Sequence, residues 1–334
     1  MDKNARIFVA GHRGLVGTAI CRRLTAEGAQ NLILRGRADL DLRDQAAVER
    51  FFAAEKPEYV FLAAAKVGGI MANASYPAEF LRDNLAVQTN VIHSAWRNGV
   101  RKLCFLGSSC VYPKFAPQPI VEESLMTSAL EPTNEWYAIA KIAGLKMVQA
   151  YALQYGFRAI SLMPTNLYGP EDNFDLAGSH VLPALLRKFH EARIHDAPDV
   201  TLWGSGAPRR EFLHVDDLAD AAVFLMRNYD DNLPINVGVG EDVTILELAR
   251  MIGEITGYRG RIVFDTSKPD GTPRKLLDVS RLRRLGWQAT IPLHEGIQKT
   301  YQWYISRHEG RPSATVSQQS EHIRQLRSAT GMGV

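Results

Sequence analysis

The tightest constraint on this chain lies near its start, where the apolar run "RIFVAG" passes into "GHRGLVG" and then "TAICRRLTAEG". A short buried strand, three glycines spaced three apart (Gly11, Gly14 and Gly17) and apolar residues at helical spacing predict strand, tight turn and helix. Such a turn brings backbone N–H groups and a helix N-terminus against a pyrophosphate, with His12, Arg13, Leu15 and Val16 filling the turn around the glycines. A glycine motif alone also marks an ordinary turn. Its place after a first strand and before an amphipathic helix favours the dinucleotide.

Further apolar runs, "NLILRG", "YVFLAAA", "KLCFLGSS" and "RAISLMPTN", alternate with helical stretches such as "QAAVERFFAAE" and "AVQTNVIHSAWRNG". That alternation predicts an α/β fold, a Rossmann-like doubly wound parallel sheet. The expected dinucleotide-binding domain covers residues 1–169, with a return segment around 210–240. From about Pro170 the regularity weakens into the turn-rich "GPEDNFDLAGSH", a helix "VLPALLRKFHEA" and shorter segments, predicting a smaller α/β substrate-binding region over 170–309. Residues 310–334 are rich in Ser, Gln, Arg and Gly and read as a disordered tail.

Composition excludes several function classes. Thirty-nine Lys and Arg against 36 Asp and Glu leave a net charge of +3, which argues for neither nucleic acid nor a membrane surface as partner. No apolar run is long enough to span a bilayer and no signal-peptide core opens the chain, so a cytoplasmic protein is expected. Cys21, Cys104 and Cys110 read as free thiols, and His12, His190, His195 and His214 form no ligand-spaced cluster, so no metal is expected.

The end of the second strand selects the cofactor. In place of the acid that usually bonds a ribose hydroxyl, "LILRGRADL" offers Arg35 and Arg37, with Arg13 in the glycine turn. Guanidinium groups suit a 2′-phosphate and hence NADP(H), although solvated surface arginines give the same pattern. Asp39 and Asp41 stand late for the ribose role but compete for it.

Tyr137 and Lys141 stand four apart in "WYAIAKIAG", on one face of a helix. A lysine there is expected to lower the phenol from its ordinary pKa of about 10. On its own the pair is a common surface feature. With the glycine turn upstream and Ser108 and Ser109 at a strand end, it reads as catalytic. Cys21 and Cys104 read as small buried hydrophobes, whereas Cys110 lies past the strand end beside Ser108.

These residues together resemble the extended short-chain dehydrogenase/reductases. The strings "AGHRGLVG", "AAAKVGGI", "GSSCVYPK", "EPTNEWYAIAKIAG", "MPTNLYGPEDNF", "REFLHVDD" and "SKPDGTPRKLLDV" resemble the branch of that family working on GDP-bound 4-keto sugars, over roughly residues 5–305. The resemblance implies NADPH-dependent 3,5-epimerisation and 4-reduction of GDP-4-keto-6-deoxy-D-mannose to GDP-L-fucose. It gives Ser108 and Tyr137 to the substrate carbonyl, Lys141 to the ribose, and Cys110 and His180 to the epimerising acid/base pair. Inversion needs proton transfer on both faces of a carbon, which one phenol cannot supply. Cofactor contacts are implied at Arg37, at Leu106, Gly107, Ser108 and Ser109, at Pro164, Thr165, Asn166 and Leu167, and at His180. Substrate contacts are implied at Lys188, where the family usually has arginine, and at Trp203, Arg210 and Asp270. A homodimer through the helices holding "AVQTNVIHSAW" and "WYAIAKIAG" is implied as well. The rivals are a nucleotide-sugar 4-epimerase or 4,6-dehydratase on the same scaffold, and a silent NADP-sensing protein. Dehydratases of this kind typically carry an acidic pair where Ser109 and Cys110 stand, and silent relatives typically lose the Tyr or Lys.

Overall fold

The computed structural model describes residues 1–308 apart from Ala177 and Pro269, so the expected tail at 310–334 lies outside the described residues. The chain opens with β1 (Arg6–Ala10), α1 (Leu15–Ala26), β2 (Asn31–Ile33), α2 (Gln45–Glu55), β3 (Tyr59–Leu62) and α3 (Ile70–Ser75). Next come α4 (Pro77–Arg97), β4 (Lys102–Leu106), α5 (Glu135–Tyr155), β5 (Ala159–Pro164) and β6 (Asn166–Tyr168). The chain then forms α6 (Val181–Ile194), β7 (Asp199–Trp203), β8 (Arg209–Arg210), β9 (Phe212–His214), α7 (Val215–Asn228) and β10 (Ile235–Val237). It continues as β11 (Val243–Thr244), α8 (Ile245–Thr256), β12 (Arg261–Asp265), β13 (Arg274–Lys275), α9 (Ser280–Arg284) and α10 (Leu293–His308).

Six strands form the central sheet in the order β10–β5–β4–β3–β1–β2, every pair parallel. The period of two along a strand sends neighbouring residues to opposite faces. Ile7 and Val9 join a core with Ile20 and Leu24 of α1 and Leu218 and Leu225 of α7. Phe8 and Ala10 join a second core with Phe52 of α2, Val91 of α4 and Val148 of α5. Helices therefore cover both faces, which is why β4 and β5 are buried at every position and are apolar apart from Lys102 and Ser161.

The return segment supplies α7, which packs on α1, and β10, which adds the sixth strand beside β5. Three small sheets stand apart from the large one: β6 with β9, β7 with β12, and β8 flanked by β11 and β13. Short local signals end or begin the helices. Gly156 closes α5 in left-handed backbone (φ +64°), and a reciprocal Thr244–Glu247 capping box opens α8. No helix among the described residues is long and apolar enough to cross a membrane.

Candidate active site

Gly11 turns the chain out of β1 in left-handed backbone (φ +84°), and a Cβ there would lie 2.8 Å from the Ala64 nitrogen. At Gly17 a Cβ would sit 2.1 Å from the Gly11 carbonyl oxygen, so α1 can settle on the turn only with glycine at that position. Gly14, the N-cap of α1, has its nearest such contact at 3.5 Å and leaves the turn open in front of the helix. No acidic residue stands in the first turn of α1, so the positive helix end is free to meet an anion. Before it opens a cleft of about 530 Å³, lined by His12, Arg13, Gly36, Arg37, Leu40 and Ala64 among others. β1 has β2 on one side and β3 on the other, and the cleft lies at this reversal of strand order.

Arg13 lies over Gly36, where a Cβ would come within 3.1 Å of its guanidinium carbon. The Arg37 side chain is 74% exposed, 3.9 Å from Asp41. Arg35 is instead drawn into an ion pair with Glu55. The two competing acids are engaged elsewhere. Asp39 accepts the Gly36 amide at 3.2 Å, and Asp41 is gripped by the Arg43 guanidinium, whose hydrogen bonds hold its carboxyl down at about 2. Arg13 and Arg37 line the cleft, which fits a 2′-phosphorylated dinucleotide.

The second half of the site begins where β4 ends. Gly107 donates its amide to Leu162 O at 2.8 Å, and a single 3₁₀ turn over Ser109–Val111 follows. Ser108 caps that turn, its hydroxyl accepting the Cys110 amide at 3.3 Å. The same hydroxyl hydrogen-bonds the Tyr137 phenol from the first turn of α5. One turn further, the Lys141 ammonium donates to Leu106 O at 2.7 Å and lies 5.8 Å from the Tyr137 ring centroid.

The electrostatics differ from expectation at one point. Desolvation pushes the Tyr137 phenol well above its ordinary value and Cys110 adds to the rise, while only the Ser108 hydrogen bond acts the other way. Lys141 does not acidify it, because its ammonium is turned to the Leu106 carbonyl and is itself lowered by burial to about 8. Tyr137 thus holds its proton.

Cys110 is 8% exposed. Burial raises its thiol, and the Lys275 ammonium, the Ser108 hydroxyl and Lys141 pull it back. His180 is the N-cap of α6, yet its side chain makes no capping hydrogen bond. The protein packed round it and the Lys275 charge both lower its pKa. Its segment is tied to the loop after β3 by the Gly69 amide, which donates to Gly178 O at 2.9 Å.

Sequence reasoning missed Lys275. It lies on β13, paired in register with Arg210 on β8, and its charge acts on both Cys110 and His180. The signal was present, since Lys275 sits in "SKPDGTPRKLLDV" five residues after Asp270. Among the implied substrate residues, Lys188 lies with its ammonium 5.5 Å from the Trp203 ring, a ring left 56% exposed. Asp270 turns both oxygens to Ser205, accepting its amide at 2.7 Å and its hydroxyl at 2.8 Å, so it braces the turn after Trp203. Asn166 donates to Glu211 O at 2.8 Å, and Thr165 donates its amide to Val237 O at 3.0 Å. Cys104 lies in the core and Cys21 packs against it; both are free thiols, as is Cys110.

A dinucleotide turn and a Ser–Tyr–Lys centre on one doubly wound sheet define a class. The chain belongs to the NAD dependent epimerase/dehydratase family, whose model matches residues 7–238. Within that family it is 62% identical to GDP-L-fucose synthase 1 of Arabidopsis thaliana, over 91% of this chain and 94% of that one. The GDP-L-fucose synthase of Escherichia coli K12 is 56% identical over 91% of this chain and 98% of its own. Among solved structures, a GDP-mannoheptose C4 reductase from Campylobacter jejuni with NADP bound superposes with a TM-score of 0.85 at 43% identity, covering 91% of this chain and 99% of that one.

Proposed function

We propose that the protein is an NADP-dependent GDP-keto-sugar epimerase-reductase that inverts C3 and C5 of GDP-4-keto-6-deoxy-D-mannose and reduces C4, yielding GDP-L-fucose. The observation that carries this is the joining of Cys110 to the reductase trio: its amide bonds Ser108, whose hydroxyl also bonds Tyr137, and its thiol feels Lys141 and Lys275. The names of the relatives support the substrate and the cofactor.

The glycine turn with Arg13 and Arg37 holds NADP(H), and Lys141, with Leu106 to Ser109, Pro164 to Leu167 and His180, completes the cofactor side. When bound, NADPH supplies the hydride that reduces the C4 ketone. Ser108 and Tyr137 donate hydrogen bonds to O4, where negative charge grows both in enolisation and in reduction, so one pair of donors serves every step. The raised pKa of Tyr137 suits this, since reduction needs a phenol that still carries its proton to O4. Cys110 and His180 move the protons at C3 and C5, one from each face. The lysines round Cys110 lower the cost of the thiolate that such exchange requires. Lys188, Trp203, Arg210 and Asp270 bind or brace the nucleotide end.

We assign residues 1–169 and the return segment to the cofactor and residues 170–309 to the substrate. We also propose a cytoplasmic homodimer through α4 and α5. Incubation with GDP-4-keto-6-deoxy-D-mannose and NADPH, followed by identification of the product sugar, tests the reading. Formation of GDP-L-fucose is expected. A C4-reduced sugar with C3 and C5 unchanged would place the chain with simple C4 reductases instead.

A further inference from the structure

Glu211 lies between β8 and β9, fully enclosed, and among the described residues none of its hydrogen bonds is to a cation. Its Oε1 accepts the amides of Val239 at 2.6 Å and Gly240 at 2.7 Å, and its Oε2 accepts that of Leu277 at 3.0 Å. A Cβ on Gly238 would sit 2.3 Å from Oε1, so the backbone closes over the carboxylate on that side too. Its main-chain oxygen accepts from Asn166 Nδ2 at 2.8 Å and Thr165 Oγ1 at 3.3 Å. One residue thus joins the loop after β5, the loop after β10 and the strand end after β13.

Burying a carboxylate without a cation is unfavourable, and a neutral side chain would fasten two loops at less cost. What the charge adds is three directed amide bonds of fixed geometry. Their positions matter because of what stands next to them. Arg210 immediately precedes Glu211, Lys275 lies two residues before Leu277, and Arg210 and Lys275 are register partners across β8 and β13. The Glu211–Leu277 bond therefore pins the spacing of the two strands that carry the cations, just beyond the short ladder in which they pair.

We propose that Glu211 is a positioning residue that holds Arg210 and Lys275 side by side, setting the affinity for a nucleoside diphosphate and the charge environment of Cys110. This rests on the roles given above to Arg210 and Cys110. Glu211→Gln keeps one acceptor oxygen but turns an NH₂ donor toward amides that need an acceptor.

Calorimetry with GDP is expected to show affinity weakened at least tenfold, and KM for the nucleotide sugar raised to match, with NADPH affinity unchanged. The pH profile of Cys110 alkylation by iodoacetamide, followed on the Cys110 peptide by mass spectrometry, moves to higher pH as Lys275 recedes. Gly238→Ala, which drives a methyl against the same carboxylate while leaving it in place, gives the same changes and serves if the first variant does not fold. Unaltered GDP affinity and an unaltered Cys110 profile, with only thermal stability reduced, would overturn the proposal and leave Glu211 a structural clamp. If the wild type itself does not bind GDP, the substrate reading is what fails, and the Cys110 profile alone decides whether Glu211 positions Lys275.

Discussion

At the scale of single residues the site is a competition between burial and neighbouring charge. Cys110 is raised by burial and lowered by Lys275, Lys141 and its hydroxyl neighbour Ser108, the residue proposed for the reductase. Cys110→Ser is therefore expected to slow exchange of the C3 and C5 hydrogens in deuterated water by two orders of magnitude or more. Reduction of an already inverted 4-keto sugar should stay within about tenfold of wild type. Wild-type exchange in that variant would remove Cys110 from the epimerisation. Lys141 gives a prediction with a definite sign. Its folded pKa of about 8 lies below the ordinary value of about 10.4, so the folded protein sheds this proton first and gains stability as pH rises through that window. Wild type should therefore gain in Tm on Lys141→Met between pH 7 and pH 9.5; a constant difference would mean that the ammonium is not desolvated.

Elements place these residues through a few close approaches. The loop after β3 reaches the segment before α6 so tightly that a Cβ on Gly69 would lie 2.5 Å from Ser179 O. Gly69→Ala should displace His180 and slow proton exchange at least tenfold while leaving NADPH binding intact; equal losses in both would show a general collapse of the fold. Lys102 does a different task on β4. Its buried ammonium donates to Leu225 O at 3.3 Å, Met226 O at 2.9 Å and Tyr229 O at 2.5 Å, closing the last turn of α7. Lys102→Met takes the side-chain donor from the Met226 and Tyr229 carbonyls and breaks the ion pair with Asp230, while Leu225 O keeps the Tyr229 amide; it should cost about 2–3 kcal/mol, read as a fall in the denaturation midpoint. Much at this scale was legible beforehand. The stretch "QAAVERFFAAE" forms α2 from end to end, and each apolar run singled out became a strand, because local period and glycine punctuation decide such elements. Lys102 was not legible, since a lysine in an apolar run gives no sign of the helix end it meets more than a hundred residues later.

For the whole molecule, α5 presents Ile139 at 37% and Leu153 at 80% exposure, fourteen residues apart and so within about 40° on one helix face. Apolar side chains left open on that face support the proposed homodimer. Light scattering should give twice the chain mass for wild type and a monomer for Leu153→Glu; a wild-type monomer would refute the dimer. The sequence alone determined the alternating strands and helices and the dinucleotide turn, and it singled out Ser108, Tyr137 and Lys141 as a candidate centre. Those depend on short-range periodicity and on residue types whose chemistry is fixed wherever they stand. Only the tertiary structure decided that Arg35 at the cleft is paired with Glu55, that Tyr137 keeps its proton, and that Lys275 from β13 acts on Cys110 and His180. Charge interactions and desolvation depend on distance in space, and the pairing of β8 with β13 sets those distances without leaving a local pattern along the chain.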